Sequence, residues 1–175
     1  MAGSLIKIDE EIVTSAVASV DLGGTKWDSS YDVYMVKFSN VTATTDNTIL
    51  YARVLKSDNT ADSTANYDRA LKILRTDTTF TNLGQTNQTE FGIEIIGTAT
   101  GESANGIFYL FNFNNASEYN FCTTEMSNFD NASKLIAGQG GFVHTVSQVS
   151  KGLQFFISSS TIANGVFTLY GLKKD

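Results

Sequence analysis

The feature that most constrains this chain is an alternation of apolar and polar residues with period two, which recurs along nearly its whole length. Successive side chains of a β-strand point to opposite faces, so this alternation is typical of strands. Clusters of Gly, Asn, Asp, Ser and Thr separate the alternating segments and mark turns. The pattern predicts an all-β fold, an antiparallel β-sandwich or jelly roll with Greek-key connections.

The segments that alternate most clearly are the predicted strands. They are Asp32–Phe38, Ile49–Lys56, Phe91–Ile96, Ile107–Phe113, Phe142–Val149, Leu153–Ser158 and Val166–Leu172. The first is apolar on both faces, which is typical of a central strand. In the fourth, alternate residues from Ile107 to Phe113 form one mostly aromatic face, which we expect to line the core. The last two strands are expected to form a closing hairpin around the turn Ser158–Gly165.

Other segments leave alternatives open. Ala65–Leu74 and Asn128–Ala137 could each be a short helix, a single turn or a strand. Ala2–Ser19 is expected to be an N-terminal arm or an edge strand. A chain of 175 residues is within the usual size of one domain, and we expect residues 1–175 to form a single one.

Composition bears on the partners of the chain. The net charge of -6 repels nucleic-acid phosphates and anionic lipid, so we expect neither nucleic acid nor membrane as a partner. No stretch of the sequence reaches the length of apolar residues that a membrane-spanning helix needs. Cys122 is the single cysteine, so no intrachain disulfide can form, which is consistent with assembly in a reducing cytoplasm. Stability must come from packing or from partner chains.

One motif and one histidine suggest catalysis, but a structural role explains each of them better. VDLGGTKW, from Val20, is similar to a phosphate-contacting turn of sugar kinases, but a short β chain lacks the two lobes of such enzymes, so we interpret it as a glycine-rich turn between strands. His144 is the only histidine and hence the only conventional general base. No G-x-S-x-G motif accompanies it, and we interpret it as a partly buried histidine of a sheet.

Several carboxylates and aromatic residues also have both a functional and a structural interpretation. Glu90 and Glu94 lie about 13 Å apart on an extended strand, beyond the glycosidase window, and are expected to solvate an outer face. Asp58, Asp62 and Asp68 offer oxygen ligands to calcium but fit no EF-hand spacing. An aromatic platform for sugars is an alternative to core packing for four residues: Trp27, Tyr31, Tyr119 and Phe121. We therefore assign no catalytic, cofactor-binding or metal-binding residue, and expect no cofactor.

Four stretches carry a resemblance: VTSAVASVDLGG from Val13, YDVYMVKFSNVTATTDNTILYARVL from Tyr31, NYDRAL from Asn66 and GVFTLYGLKK from Gly165. With them the whole chain resembles small structural proteins of tailed bacteriophages, especially those of marine and cyanobacterial hosts. VTATTD lacks the proline that is usual at this turn. The resemblance implies a compact sandwich or jelly roll, often trimeric, placed on the capsid surface or at the end of a fibre.

The expected function is therefore that of a virion structural protein and not of an enzyme. The preferred role is a capsid decoration or cement protein, a homotrimer that binds the major capsid protein on the shell surface after assembly in the host cytoplasm. The alternative is a tail-fibre or receptor-binding module that recognises host glycans, although no shaft-like repeat is present. Strands with two apolar faces indicate that some aromatic surface serves subunit contact.

Overall fold

The computed structural model describes residues 4–77, 79–130 and 132–173, with every side chain in them except that of residue 94. Within these residues the chain forms twelve strands and one short 3-10 turn, Gly24–Lys26. The strands are β1 (Leu5–Val13), β2 (Ser19–Gly23), β3 (Val33–Ala43), β4 (Thr48–Lys56), β5 (Tyr67–Arg75), β6 (Thr81–Gln88), β7 (Phe91–Ile96), β8 (Ala104–Phe111), β9 (Asn120–Phe129), β10 (Leu135–His144), β11 (Ser150–Ile157) and β12 (Ile162–Leu172).

Two antiparallel sheets pack as a β-sandwich, which confirms the predicted fold class. The larger sheet has eight strands in the order β1-β12-β3-β8-β9-β10-β5-β6, and the smaller has four in the order β2-β11-β4-β7. β1, one candidate for an arm or an edge strand, lies at an edge of the larger sheet. A bulge between Lys7 and Asp9 interrupts its pairing, a common device at exposed sheet edges.

The strand pairing is nested, as in a jelly roll. β1 pairs with β12, β2 with β11, β3 with β8 and β4 with β7. A long antiparallel hairpin wound across two sheets gives this order. The remaining strands are two inserted hairpins, β5–β6 and β9–β10, which pair with each other and extend the larger sheet beyond β8. The chain is thus a jelly roll whose larger sheet is twice as wide as its smaller one.

Aromatic rings fill the space between the sheets. From the smaller sheet, the Phe155 ring lies 5.0 Å from that of Phe167, and the Phe91 ring lies 4.7 Å from that of Phe142. Phe108 joins these pairs, because its ring centroid is 6.2 Å from Phe155 and 5.7 Å from Phe142. All these rings are almost fully buried. Together with two further neighbours they form what we call the aromatic core chain: Phe38, Phe167, Phe155, Phe108, Phe142, Phe91 and Tyr67.

The aromatic face expected to line the core points the other way. In β8 the buried residues are Ala104, Phe108 and Leu110, whereas Ile107, Tyr109 and Phe111 lie half-buried on the outer face. Only Phe113, beyond the end of β8, is buried as predicted. The ring of Phe38 explains which face of β8 points inward. A Cβ at Gly106 would lie 2.5 Å from the Cζ atom of Phe38, so the face of β8 that carries its small residues must point toward this ring.

Other expectations need smaller corrections. Tyr67–Arg75 and Leu135–His144 are strands, so the helical alternative is wrong for the described residues of Ala65–Leu74 and Asn128–Ala137. The predicted strand Phe142–Val149 is the end of β10 and the loop after it. β11 and β12 belong to different sheets, so Ser158–Gly165 spans a sheet crossing and does not close a hairpin.

Truncation of the Phe155 side chain tests the role of the aromatic core chain. Because the ring is fully buried and contacts three others, we expect Phe155→Ala to lower the free energy of unfolding by about 3–5 kcal/mol. Ile12→Ala is the control: this side chain is 62% exposed, and its loss should cost less than about 0.5 kcal/mol. Urea unfolding measures both, and equal losses would contradict the assignment.

Candidate functional site

The outer face of the larger sheet carries a continuous apolar band. Strand register aligns its side chains in rows that cross the strands. One row joins Val33, Phe111, Phe121 and Val143. The next row, two residues along each strand, joins Tyr170, Met35, Tyr109, Thr123 and Gly141. We call these two rows the outer-face band.

The band is open to solvent. Phe121 is 45% exposed, and most of its other apolar members are half-buried. Toward β6 the side chains become small, since Gly141 continues the row to Ala70 and Gly84. The result is a groove of about 450 Å³, lined by residues that include Phe121, Val143 and Ala70. Contiguous exposed apolar surface of this kind marks interaction sites more often than isolated apolar residues do.

A row of alternating charge borders the band. Two residues further along the strands, Lys37 on β3, Ile107 on β8 and Glu125 on β9 are directly opposite one another. The same row reaches Glu10 on β1 and Lys72 on β5. The sign of the charge therefore reverses at every second strand, so that the band has a polar rim of both signs.

The smaller sheet, in contrast, covers its own outer aromatic residues. Tyr51 and Phe156 stack with their ring centroids 5.6 Å apart. The Arg53 guanidinium lies 4.4 Å from the centroid of the Phe156 ring and donates to a Glu90 carboxylate oxygen at 2.9 Å. Among the described residues, no ring or cation contact of this kind covers Tyr109, Phe111 or Phe121 of the outer-face band.

The four aromatic residues weighed as a sugar platform lie in two different places. The Trp27 ring packs 3.9 Å from that of Tyr34, and the Tyr31 ring lies 6.0 Å from the same tyrosine. Asn114 holds this end of the sandwich together, since it accepts a hydrogen bond from Trp27 Nε1 and donates to the Tyr31 carbonyl. Tyr119 and Phe121 are exposed, so core packing is wrong for that pair.

His144 lies at the end of β10, with its ring centroid 4.7 Å from that of Tyr67. It is a sheet histidine as predicted, but it is fully and not partly buried. Its Nε2 atom lies 3.1 Å from Asp62 Oδ2, and its Nδ1 atom is buried without a hydrogen-bond partner in the described structure. A catalytic triad would need a nucleophile at that free nitrogen. The pair instead fastens the β4–β5 loop to β10.

The charges of this pair follow from its surroundings. Burial lowers the pKa of the His144 imidazole, and the Asp62 carboxylate offsets only part of that effect. Burial alone would raise the pKa of Asp62, but hydrogen bonds from Thr64 and the interaction with His144 outweigh it and leave that pKa below its ordinary value. The folded protein therefore favours a neutral imidazole beside an ionised carboxylate.

The carboxylates considered for calcium do not converge. Asp58 accepts hydrogen bonds from Thr60, Asp62 is bound to Thr64 and His144, and Asp68 accepts from the Asn87 amide. In the part of the chain that the structure describes, no group of three or more His, Cys, Asp or Glu residues could hold a metal ion. Glu90 precedes β7 and pairs with Arg53, while the side chain of Glu94 lies outside the described residues.

The VDLGGTKW segment is the end of β2 and the glycine-rich turn that follows, as predicted. Gly23 has a φ of 97°, and a Cβ there would lie 2.3 Å from the Lys151 carbonyl oxygen of β11, so glycine permits close strand approach. Lys26 Nζ donates to Asp9 at 2.6 Å and to Glu11 at 2.8 Å. The motif thus joins β2 to β1 through a local ion pair.

Comparisons with known proteins show no family for this chain. No family model matches the chain, and no curated protein matches it significantly. An exo-inulinase from Aspergillus awamori aligns with 96% of this chain and 29% of its own, at 12% identity and a TM-score of 0.39. A structure of infectious bursal disease virus, Gx strain, aligns with 100% of this chain and 42% of its own, at 10% identity and a TM-score of 0.17. Neither similarity assigns a function.

Within the described residues, no helix is long and apolar enough to cross a membrane. Of the residues in the outer-face band, Phe121 alone was predicted from the sequence as a candidate binding residue. A signal for the band was present in β8, where five consecutive apolar residues, Ile107 to Phe111, leave both faces apolar. Sequence alone does not say which of two such faces meets the other sheet.

The buried His144 ring predicts how stability depends on pH. The unfolded state, with a histidine pKa near 6.5, binds more protons than the folded state between that value and the lower folded pKa. We therefore expect the free energy of unfolding to fall as the pH drops from 7.5 through 6.5. Because the chain has one histidine, His144→Gln should abolish this slope even if it lowers overall stability. Urea titrations at several pH values measure this dependence, and a free energy of unfolding that stays constant or increases as the pH drops through 6.5 would contradict the assignment.

Proposed function

We propose that this protein works by assembly with other protein subunits, as a structural protein of a bacteriophage particle and most simply as a decoration protein of the capsid. The observation that carries this proposal is the outer-face band, an apolar surface on a widened sheet that the described residues of the chain leave uncovered. The resemblance to small structural proteins of tailed phages supports a place in the virion. The jelly roll is compatible with this role but serves many others.

In this role the protein binds the major capsid protein at the shell surface. The resemblance also implies a homotrimer, which needs two different complementary patches on each subunit. The outer-face band and its charged rim have an apolar centre and a polar border like those of protein interfaces.

Recognition of host glycans by a fibre or receptor-binding module is the second candidate. The exposure of Tyr119 and Phe121, 44% and 45%, favours it, because exposed rings can stack on sugars. If this candidate is correct, Tyr119→Ala should reduce binding to host polysaccharide without changing incorporation into particles.

Imaging of virions tests the location. In icosahedrally averaged cryo-electron microscopy of particles from the phage that encodes this chain, we expect extra density of a 19.0 kDa jelly roll, or multiples of it, at lattice points of the shell. A bare shell, with the protein found only at tail or fibre tips, would overturn the decoration role and favour glycan recognition.

A matched pair of variants tests the surface. Tyr109 and Tyr51 are both half-buried tyrosines on outer sheet faces, the first in the outer-face band and the second on the smaller sheet. Tyr109→Glu places a charge in the proposed contact and should lower incorporation into particles at least about tenfold. Tyr51→Glu should leave incorporation near that of the natural protein. Quantitative immunoblots of purified particles measure both, with circular dichroism as the folding control.

A further inference from the structure

The outer face of the larger sheet is complementary to itself. From the register of its rows, we infer that two copies of this chain pack outer face to outer face about a two-fold axis that runs along β8. Such an axis keeps each row opposite the same row of the partner and exchanges the strands on either side of β8. This inference deepens the proposed function, since it names one partner of the outer-face band, a second copy of this chain.

The charged row supports a two-fold axis along β8. β3 and β9 are the two neighbours of β8, so the axis brings Lys37 of one copy opposite Glu125 of the other. Three strands from β8 on either side, Glu10 comes opposite Lys72 in the same way. Glu10 also pairs with Lys7 at 3.0 Å, and Glu125 accepts a hydrogen bond from Gln139 at 3.3 Å. Every charge of the row thus meets one of opposite sign.

The sizes of the side chains match under the same operation. In the second row of the outer-face band, Met35 comes opposite Thr123 of the partner, and Tyr170 comes opposite Gly141. Thr123 also lines a depression of about 420 Å³ beside β8, and Gly141 lines the groove toward β6. Large residues on the β1 side of the sheet therefore lie over depressions on the β6 side.

The face is large enough for a stable contact. The charged row spans about 29 Å across the strands from β1 to β5, and the three rows together span about 14 Å along the strands, at ~4.8 Å between strands and ~3.4 Å per residue. When the side chains at the edges of this rectangle are included, its area approaches the roughly 800 Å² per partner of a standard interface. Aligned sheets cross at up to about 30°. Lys37 and Glu125 lie near the axis, and their side chains are long enough to reach each other at such a crossing angle.

Reversal of the two central charges tests the pairing. At neutral pH we expect the purified chain to show a concentration-dependent equilibrium between 19.0 kDa and twice that mass in analytical ultracentrifugation. Lys37→Glu and Glu125→Lys, each at an exposed position, should each weaken the dimer at least about tenfold, because each creates two like-charge contacts. The double variant should restore the affinity of the natural chain. Lys56→Glu, on the smaller sheet, is the matched control and should have no effect.

Crosslinking tests the axis itself. Ile107 lies on it and therefore faces its own copy, so Ile107→Cys should give a covalent dimer with a bismaleimide that reaches about 10 Å, the usual spacing of stacked sheets. Gln154→Cys, on the outer face of the smaller sheet, should not. The natural Cys122 is buried and should remain unmodified in the folded protein.

Each outcome is decisive for the inference. A monomer at all concentrations, a trimer without two-fold contacts, or a dimer that is insensitive to both charge reversals would overturn it. A hexamer that Lys37→Glu and Glu125→Lys each split into trimers would support it, because two-fold and three-fold contacts combine in dihedral symmetry. These measurements use the purified chain, so a dimer found here would stand even if the protein were absent from the capsid.

Discussion

The aromatic core chain is the constraint on which the rest of the structure depends. Phe155 and Phe91 of the smaller sheet insert between rings of the larger one, and so determine which residues of β3, β8, β10 and β12 point inward. Because strand side chains alternate, a slip of one residue would exchange the two faces. The same packing that builds the core therefore also places Val33, Phe111 and Tyr109 on the outside.

The inserted hairpins explain why the two faces of the sandwich differ. β9–β10 and β5–β6 widen the larger sheet, and their inner residues, such as Phe142 and Tyr67, are held by Phe91 and by the His144–Asp62 pair. On the outside they contribute Phe121 and Val143 but few bulky residues, which leaves a groove. In the part of the chain that the structure describes, the smaller sheet has no such extension, and Arg53 covers its outer Phe156 ring.

Local patterns predicted the strands well wherever one face was clearly apolar or a turn was well marked. Phe91–Ile96 was predicted with the bounds that the structure shows, and β4 differs by one residue. β10 was largely missed, because glycines at 138, 140 and 141 interrupt its alternation. The nested pairing and the outward parity of β8 were not predictable from local pattern, since both depend on contacts such as Phe38 against Gly106 that join distant segments.

Side-chain footprinting with hydroxyl radicals, on the assembled protein and on the dilute free chain, tests most directly the claim that the outer face of the larger sheet carries the contacts of this protein. We expect Met35, Tyr109 and Phe121 to become protected on assembly, while Tyr51 and Phe156 on the smaller sheet keep their reactivity. Protection of Tyr51 and Phe156, with Tyr109 and Phe121 unchanged, would contradict it and would place the contact surface on the opposite side of the sandwich.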